Sequence, residues 1–197
     1  MPQTPSPSEY QQAIGECALH WNEAESLIDH FVCLCLQIPD FIQADFVTEF
    51  GSIDGKVKLI RLRLEHDLGK EDADCTLMLA LLGHAKGLKK RRDRLVHMIP
   101  DYELELGTSK QRQASVKVAP MNLDEIRTVA RHMDALVEEL MLASNIFSIL
   151  YGPNGAPIWF DDHNTLERAQ RVQEAMKDLK GRLQMRCNLA PLPALHK

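Results

Sequence analysis

The stretch IGECALHWNEAESLIDHFVCLC, residues 14–35, decides the fold class. Its apolar positions are Ile14, Cys17, Trp21, Ala24, Ile28, Phe31 and Cys35, and the steps between them alternate three and four without a break. That period belongs to one face of an α-helix. The spacing predicts a helix capped by Ser8, with Gln11 completing a capping box, and stopped by Pro39.

The same period returns downstream. Ser52 opens a second helix with Val57, Ile60, Leu64 and Leu68 on one face, and Gly69 is a natural stop. Asp72 or Asp74 caps a third helix, lined by Leu77, Leu81, Ala85, Leu88 and Leu95 and running to about His97. Residues 41–50 read as a short apolar connector with a helical turn or two. Beyond Pro100, Tyr102, Leu104 and Leu106 alternate with Glu103 and Glu105, and Val116 and Val118 answer them after a polar turn, which predicts a small antiparallel hairpin. Asn122 and Glu125 form a capping box for a fourth helix carrying Leu123, Ile126, Val129, Met133, Leu136, Leu140, Phe147 and Leu150. Gly152-Pro153-Asn154-Gly155-Ala156-Pro157 breaks the chain. A last helix restarts at Asn164 or Thr165, with a thin stripe of Leu166, Ala169, Val172, Met176, Leu179 and Leu183 suited to edge packing or a partner helix.

The expected fold is therefore all-α: an up-and-down four-helix bundle with a small β-hairpin between its third and fourth helices and an extra C-terminal helix. In sequence terms, 1–7 is a disordered tail, 8–151 the helical domain, 152–163 a loop, 164–187 the C-terminal helix and 188–197 a flexible tail.

Composition supports one core. The chain of 197 residues is 45% hydrophobic, enough to fold without disulfides or a metal. Its five cysteines are odd in number and form no Cys-x-x-Cys, which fits reduced thiols and a cytoplasmic setting. Residues 1–8 are rich in Pro and Ser and lack an apolar run, so no secretory signal is expected. No stretch approaches the ~20 apolar residues of a membrane span. Cys17 with His20, and His30 with Cys33, have zinc-pair spacing, but the two pairs sit ~20 Å apart along a helix, and Cys17 belongs to the apolar stripe. Neither a metal nor a cofactor is expected.

A net charge of −5 excludes a broad nucleic-acid coat. It leaves room for one local basic site, and residues 86–94 form it: Lys86, Lys89, Lys90, Arg91, Arg92 and Arg94 stand against the single acid Asp93. The segment continues to His97, giving Arg92-Asp93-Arg94-Leu95-Val96-His97. The Arg-x4-His spacing occurs three times, at Arg61 to His66, Arg92 to His97 and Arg127 to His132, so spacing alone decides nothing. Only the middle pair closes a helix inside a basic cluster and carries a polar residue directly after its Arg. The other two read as solvent residues on long charged faces.

A helical bundle whose third helix ends in Arg-polar-x-x-x-His resembles the HEPN superfamily. The resemblance spans about residues 9–151 and includes Trp21-Asn22-Glu23-Ala24-Glu25 in the first helix. It implies a homodimer in which two copies of the motif meet in one composite site, and a metal-independent endoribonuclease of a toxin or phage-defence system, paired with an antitoxin or regulatory protein. On that footing Arg92, Asp93 and His97 are the catalytic group, and Lys86, Lys89, Lys90, Arg91 and Arg94 hold RNA. One position departs from the pattern. HEPN toxins paired with nucleotidyltransferase antitoxins carry Tyr two residues after the His, where this chain has Ile99.

The residues suit the chemistry. Attack of a ribose 2′-hydroxyl on the adjacent phosphorus needs proton transfer, and an imidazole with a near-neutral pKa supplies it. The phosphorane needs charge stabilisation, and a guanidinium fork supplies that. Asp93 would orient His97 or Arg92. Positions 92 and 97 lie about 140° apart on a helix, so either fraying of the helix end brings them together or a two-fold axis supplies the second residue from another subunit. The plain alternative is that cations at a helix end oppose its dipole. The chain would then be a non-catalytic dimerisation, nucleotide-binding or partner-binding module.

Overall fold

Helix ends are fixed by side chains that can be read one by one. The computed structural model describes residues 6–38, 51–97, 121–151 and 162–193, the side chains of 97, 162–166 and 168 excepted. Helix α1, Pro7–Leu36, is capped by Ser6. Ser6 Oγ accepts from the Glu9 N–H at 3.4 Å, and Glu9 Oε2 accepts from the Ser6 N–H at 2.9 Å. Pro7 takes the first helical position, where a missing N–H costs nothing. Ser6 thus combines a capping box with a favourable proline, and the start moves two residues ahead of the expected Ser8 cap. At the other end Gln37 turns left-handed, with φ 55°. The Ile38 N–H then reaches Cys33 O at 2.9 Å and the Gln37 N–H reaches Leu34 O at 3.1 Å, closing α1 before Pro39.

The next three starts match the sequence. Ser52 Oγ accepts from the Gly55 N–H at 3.2 Å at the head of α2, Ile53–Asp67. Gly69, at φ 94°, follows its end. Asp72 caps α3, Ala73–His97, by accepting from the N–H groups of Asp74 and Cys75 at 2.8 and 2.9 Å. Asn122 and Glu125 exchange bonds of 2.8 and 2.9 Å at the head of α4, Leu123–Tyr151. Helix α5 spans Asp162–Arg186, two residues earlier than expected. The described residues are all-helical, with no strand among them. The 41–50 connector, the hairpin proposed for 102–118 and most of the 152–163 loop lie outside the described residues.

Helix α4 is the hub: α1, α3 and α5 all pack on it, and α2 packs on α1 and α3. Every stripe residue of α1 from Cys17 to Cys35 is buried, and all eight of those named for α4 are buried. Phe31 stacks on Phe147 with ring centroids 4.3 Å apart, tying α1 to α4. Cys17 donates its thiol to Ile126 O, and burial pushes its pKa up to about 12, as expected of core filler rather than a nucleophile. Among the described residues, helix α5 contributes Met176 and Leu179 to the fully buried set, in keeping with its thin stripe.

Cross-helix pairs give the directions. Glu9 meets Arg127, His20 lies by Asp134, and Phe31 meets Phe147, so α1 and α4 run parallel. Lys56 pairs with Glu25 and Asp29, and Cys35 feels the charge of Arg63, so α2 runs with α1. Lys86 pairs with Asp54, while Cys75 feels Arg61 and Glu65, so α3 runs against α2. Glu138 meets Arg182 and His132 meets Ala190, so α5 opposes α4. Strict up-and-down alternation therefore fails at the first connection. The sequence between Gln37 and Ser52 is long enough to carry the chain back along α1, whereas alternation is enforced only by short links. No helix among the described residues is long and apolar enough to cross a membrane.

Candidate functional site

The basic segment lies in the second half of α3, where the helix turns one edge toward α2 and the other toward α4 and α5. Helical register sets positions 86, 90, 93 and 97 in one line. His97 is the last residue of α3, as expected. Asp93, one turn earlier, shares its line, while Arg92 sits about 140° away around the axis.

Asp93 is the organising residue. Lys89 Nζ donates to its Oδ2 at 2.5 Å, and Arg92 Nη1 donates to its Oδ1 at 3.2 Å. Partial burial raises the carboxyl pKa, but the bonds and charges of Lys89 and Arg92 outweigh it, and the net position is below the ordinary aspartate value. Asp93 is thus an anion held between two cations, and the intrahelical bond fixes the Arg92 guanidinium. Of the two roles expected for Asp93, orienting Arg92 is the one its contacts display.

The flanking cations divide. Lys86 Nζ lies 2.5 Å from Asp54 Oδ1 at the start of α2. The Asp54 carboxyl is held low by the Lys86 hydrogen bond and charge, with smaller contributions from Lys90 and Lys89. Lys90 is exposed and Arg94 half-buried. Arg91 turns to the other edge, where Nη1 donates to Gly87 O at 3.3 Å and Nη2 to Pro193 O at 3.2 Å. Lys86, Lys89, Lys90 and Asp93 therefore share one neighbourhood, and Arg91 belongs to another.

That second neighbourhood escaped the sequence reading. His84 on α3 faces His132 on α4, with Arg91 two turns farther along α3 and Glu139 two turns farther along α4, in opposite directions because the helices run antiparallel. The rings of His84 and His132 are 6.0 Å apart. Glu139 is fully buried and bonds Arg186 at the end of α5. Burial raises its pKa to about 7, with Arg186 opposing. His84 is lowered to about 4 by burial, then by the charges of Arg186, His132 and Arg91. His132 was expected on a solvent face as part of a chance Arg-x4-His pair. It is buried instead, with Nε2 2.8 Å from Ala190 O. The cause is tertiary: α5 and residues 189–193 cover a face of α4 that reads as polar. Residues 189–193 are accordingly held, against the expectation of a loose tail from Asn188.

The remaining candidates carry little. Arg127 pairs with Glu9 at the surface, and His66 is exposed beside Asp67. A shallow cleft between α1 and α4 is lined by Glu16, His20, Arg127, Arg131 and Asp134, whose opposite charges balance. Among the described residues no cluster of three or more His, Cys, Asp or Glu could hold a metal ion. Comparison with protein-family models, with curated proteins and with solved structures finds no match to this chain.

Proposed function

We propose that this chain is a HEPN-like, metal-independent endoribonuclease that acts as a cytoplasmic homodimer. The observation that carries the reading is the Lys89–Asp93–Arg92 cluster one turn before the end of α3 at His97. A guanidinium fixed by a carboxylate is preorganised for phosphate, and preorganised charge stabilises a phosphorane more than a mobile side chain does. Arg92 is the phosphate clamp, His97 moves the proton, and Asp93 positions Arg92. Lys86, Lys89, Lys90 and Arg94 give the backbone-holding charge. Arg91 contributes less than its place in the cluster suggests, because its guanidinium is engaged at Gly87 and Pro193. The two motifs of a dimer would bring the second Arg and His to the same phosphate. An antitoxin or regulatory protein would hold such an activity in check.

The assay is cleavage of mixed cellular RNA in EDTA by the wild type, Arg92→Ala and His97→Ala. Cleavage by the wild type alone, leaving 2′,3′-cyclic phosphate ends, supports the assignment. An equally active His97→Ala protein sinks it. One observation favours a second reading, a non-catalytic nucleotide- or partner-binding module: Asp93 already neutralises Arg92 at close range. In that case phosphate binds and nothing is cut, so RNA retained on the protein with intact length identifies it.

A further inference from the structure

The groove between α3 and α4 holds residues 190–193, which form no helix, strand or turn, by hydrogen bonds to their carbonyls. His132 Nε2, on a side chain that is all but buried, lies 2.8 Å from Ala190 O. Arg91 Nη2 donates to Pro193 O at 3.2 Å. The two carbonyls are three residues apart, the repeat at which a polyproline II segment points its carbonyls the same way. Between them Leu192 is half-buried against the core. The segment reads Ala190-Pro191-Leu192-Pro193, and its two prolines have no N–H to offer. A backbone poor in donors thus meets a groove that presents donors, from two different helices.

The resident segment does not exhaust the groove. His84 Nε2 and Arg91 Nε are buried and have no hydrogen-bond partner among the described residues. The strap is also lightly attached. It leaves α5 through successive short turns at Cys187, Asn188 and Leu189 and is held by two side-chain hydrogen bonds and one leucine. We infer that the α3–α4 groove is a docking site for an extended Pro-x-Pro segment of a partner protein, and that residues 190–193 are its internal ligand, displaced when the partner binds. Arg92 is engaged with Asp93 on the other edge of α3, so the inference does not rest on the ribonuclease reading.

The test uses the full chain and a fluorescent peptide spanning residues 188–195. Leu192→Asp loosens the resident strap without touching the groove's donors. Tethering gives that strap a high effective concentration, so the Leu192→Asp protein should bind the peptide at least about tenfold more tightly than the wild type. Arg91→Ala in the same background should abolish binding, as should His132→Ala. Because His132 is buried, His132→Gln and the circular dichroism of each variant separate loss of a donor from loss of fold. A peptide with both prolines changed to Gly should bind about tenfold more weakly. No binding to folded Leu192→Asp, or equal binding to it and the wild type, overturns the proposal. So does a wild-type dimer that Leu192→Asp dissociates in sedimentation, because the groove would then serve exchange of this segment between two copies of the chain.

Discussion

At the scale of single residues, the molecule separates two kinds of ion pair. Lys89–Asp93 is a half-exposed, intrahelical pair, and such pairs contribute about 0.5 kcal/mol or less. Asp93→Asn should therefore leave the unfolding midpoint in denaturant almost unchanged while lowering RNA cleavage, which marks positioning rather than stability. Glu139–Arg186 is different, with the carboxylate fully buried and the Arg186 side chain partly so. Removing Arg186 alone strands the carboxylate, and such losses run to roughly 3–5 kcal/mol. Urea denaturation of Arg186→Ala should show a deficit of that order, while Glu139→Leu combined with Arg186→Met should recover most of it. The buried groups also set a pH profile. His84 is held neutral with a pKa lowered to about 4, so the folded state binds its proton less tightly than the unfolded chain. Its contribution is intact above the ordinary value of 6.5 and is lost as pH falls toward 4. Glu139 acts oppositely: its raised pKa means that stability falls as pH rises from 4.5 to about 7. The two windows overlap and oppose each other, so denaturation midpoints measured from pH 4 to 8 should rise more steeply toward acid in His84→Gln, where the Glu139 contribution is no longer offset.

At the scale of elements, the caps make the most direct prediction. Asn122 Oδ1 satisfies a first-turn N–H of the hub helix, so Asn122→Ala should cost about 1 kcal/mol in thermal or chemical unfolding. This cap, like Ser52 and Asp72, was legible because a cap acts within four residues of sequence. The apolar stripes were legible for the same reason, since helical period is local. Cys75, Met78 and Leu82 on α3 are buried although they fall outside the stripe read from sequence, because α3 meets α1 and α2 on one side and α4 on the other. Helix direction was not legible. It depends on where the chain travels between Gln37 and Ser52, and a long link permits either sense. The α1 start moved to Ser6 because two end signals there outweighed one at Ser8.

At the scale of the whole molecule, the candidate site was half legible. The basic run and the end of α3 at His97 came directly from sequence, as did the isolation of Asp93 among cations. That Arg91 leaves the cluster could not be read, because its partner Pro193 lies at the far end of the chain. The His84–His132–Glu139–Arg186 neighbourhood was hidden likewise, since three helices must meet before these residues do. If the basic edge of α3 holds RNA, binding should weaken steeply with salt, with a log–log slope approaching the number of phosphates contacted. Lys89→Ala and Lys90→Ala should each shallow that slope, whereas Arg91→Ala should change it little. The central claim is that Arg92 and His97 cut RNA without a metal. It is tested most directly by incubating the wild-type protein, once sedimentation shows it to be a dimer, with RNA in EDTA and identifying the product ends. Products with 2′,3′-cyclic phosphates, absent with Arg92→Ala and with His97→Ala, are the predicted result; intact RNA after incubation with the confirmed dimer, or cleavage that survives either substitution, would contradict it.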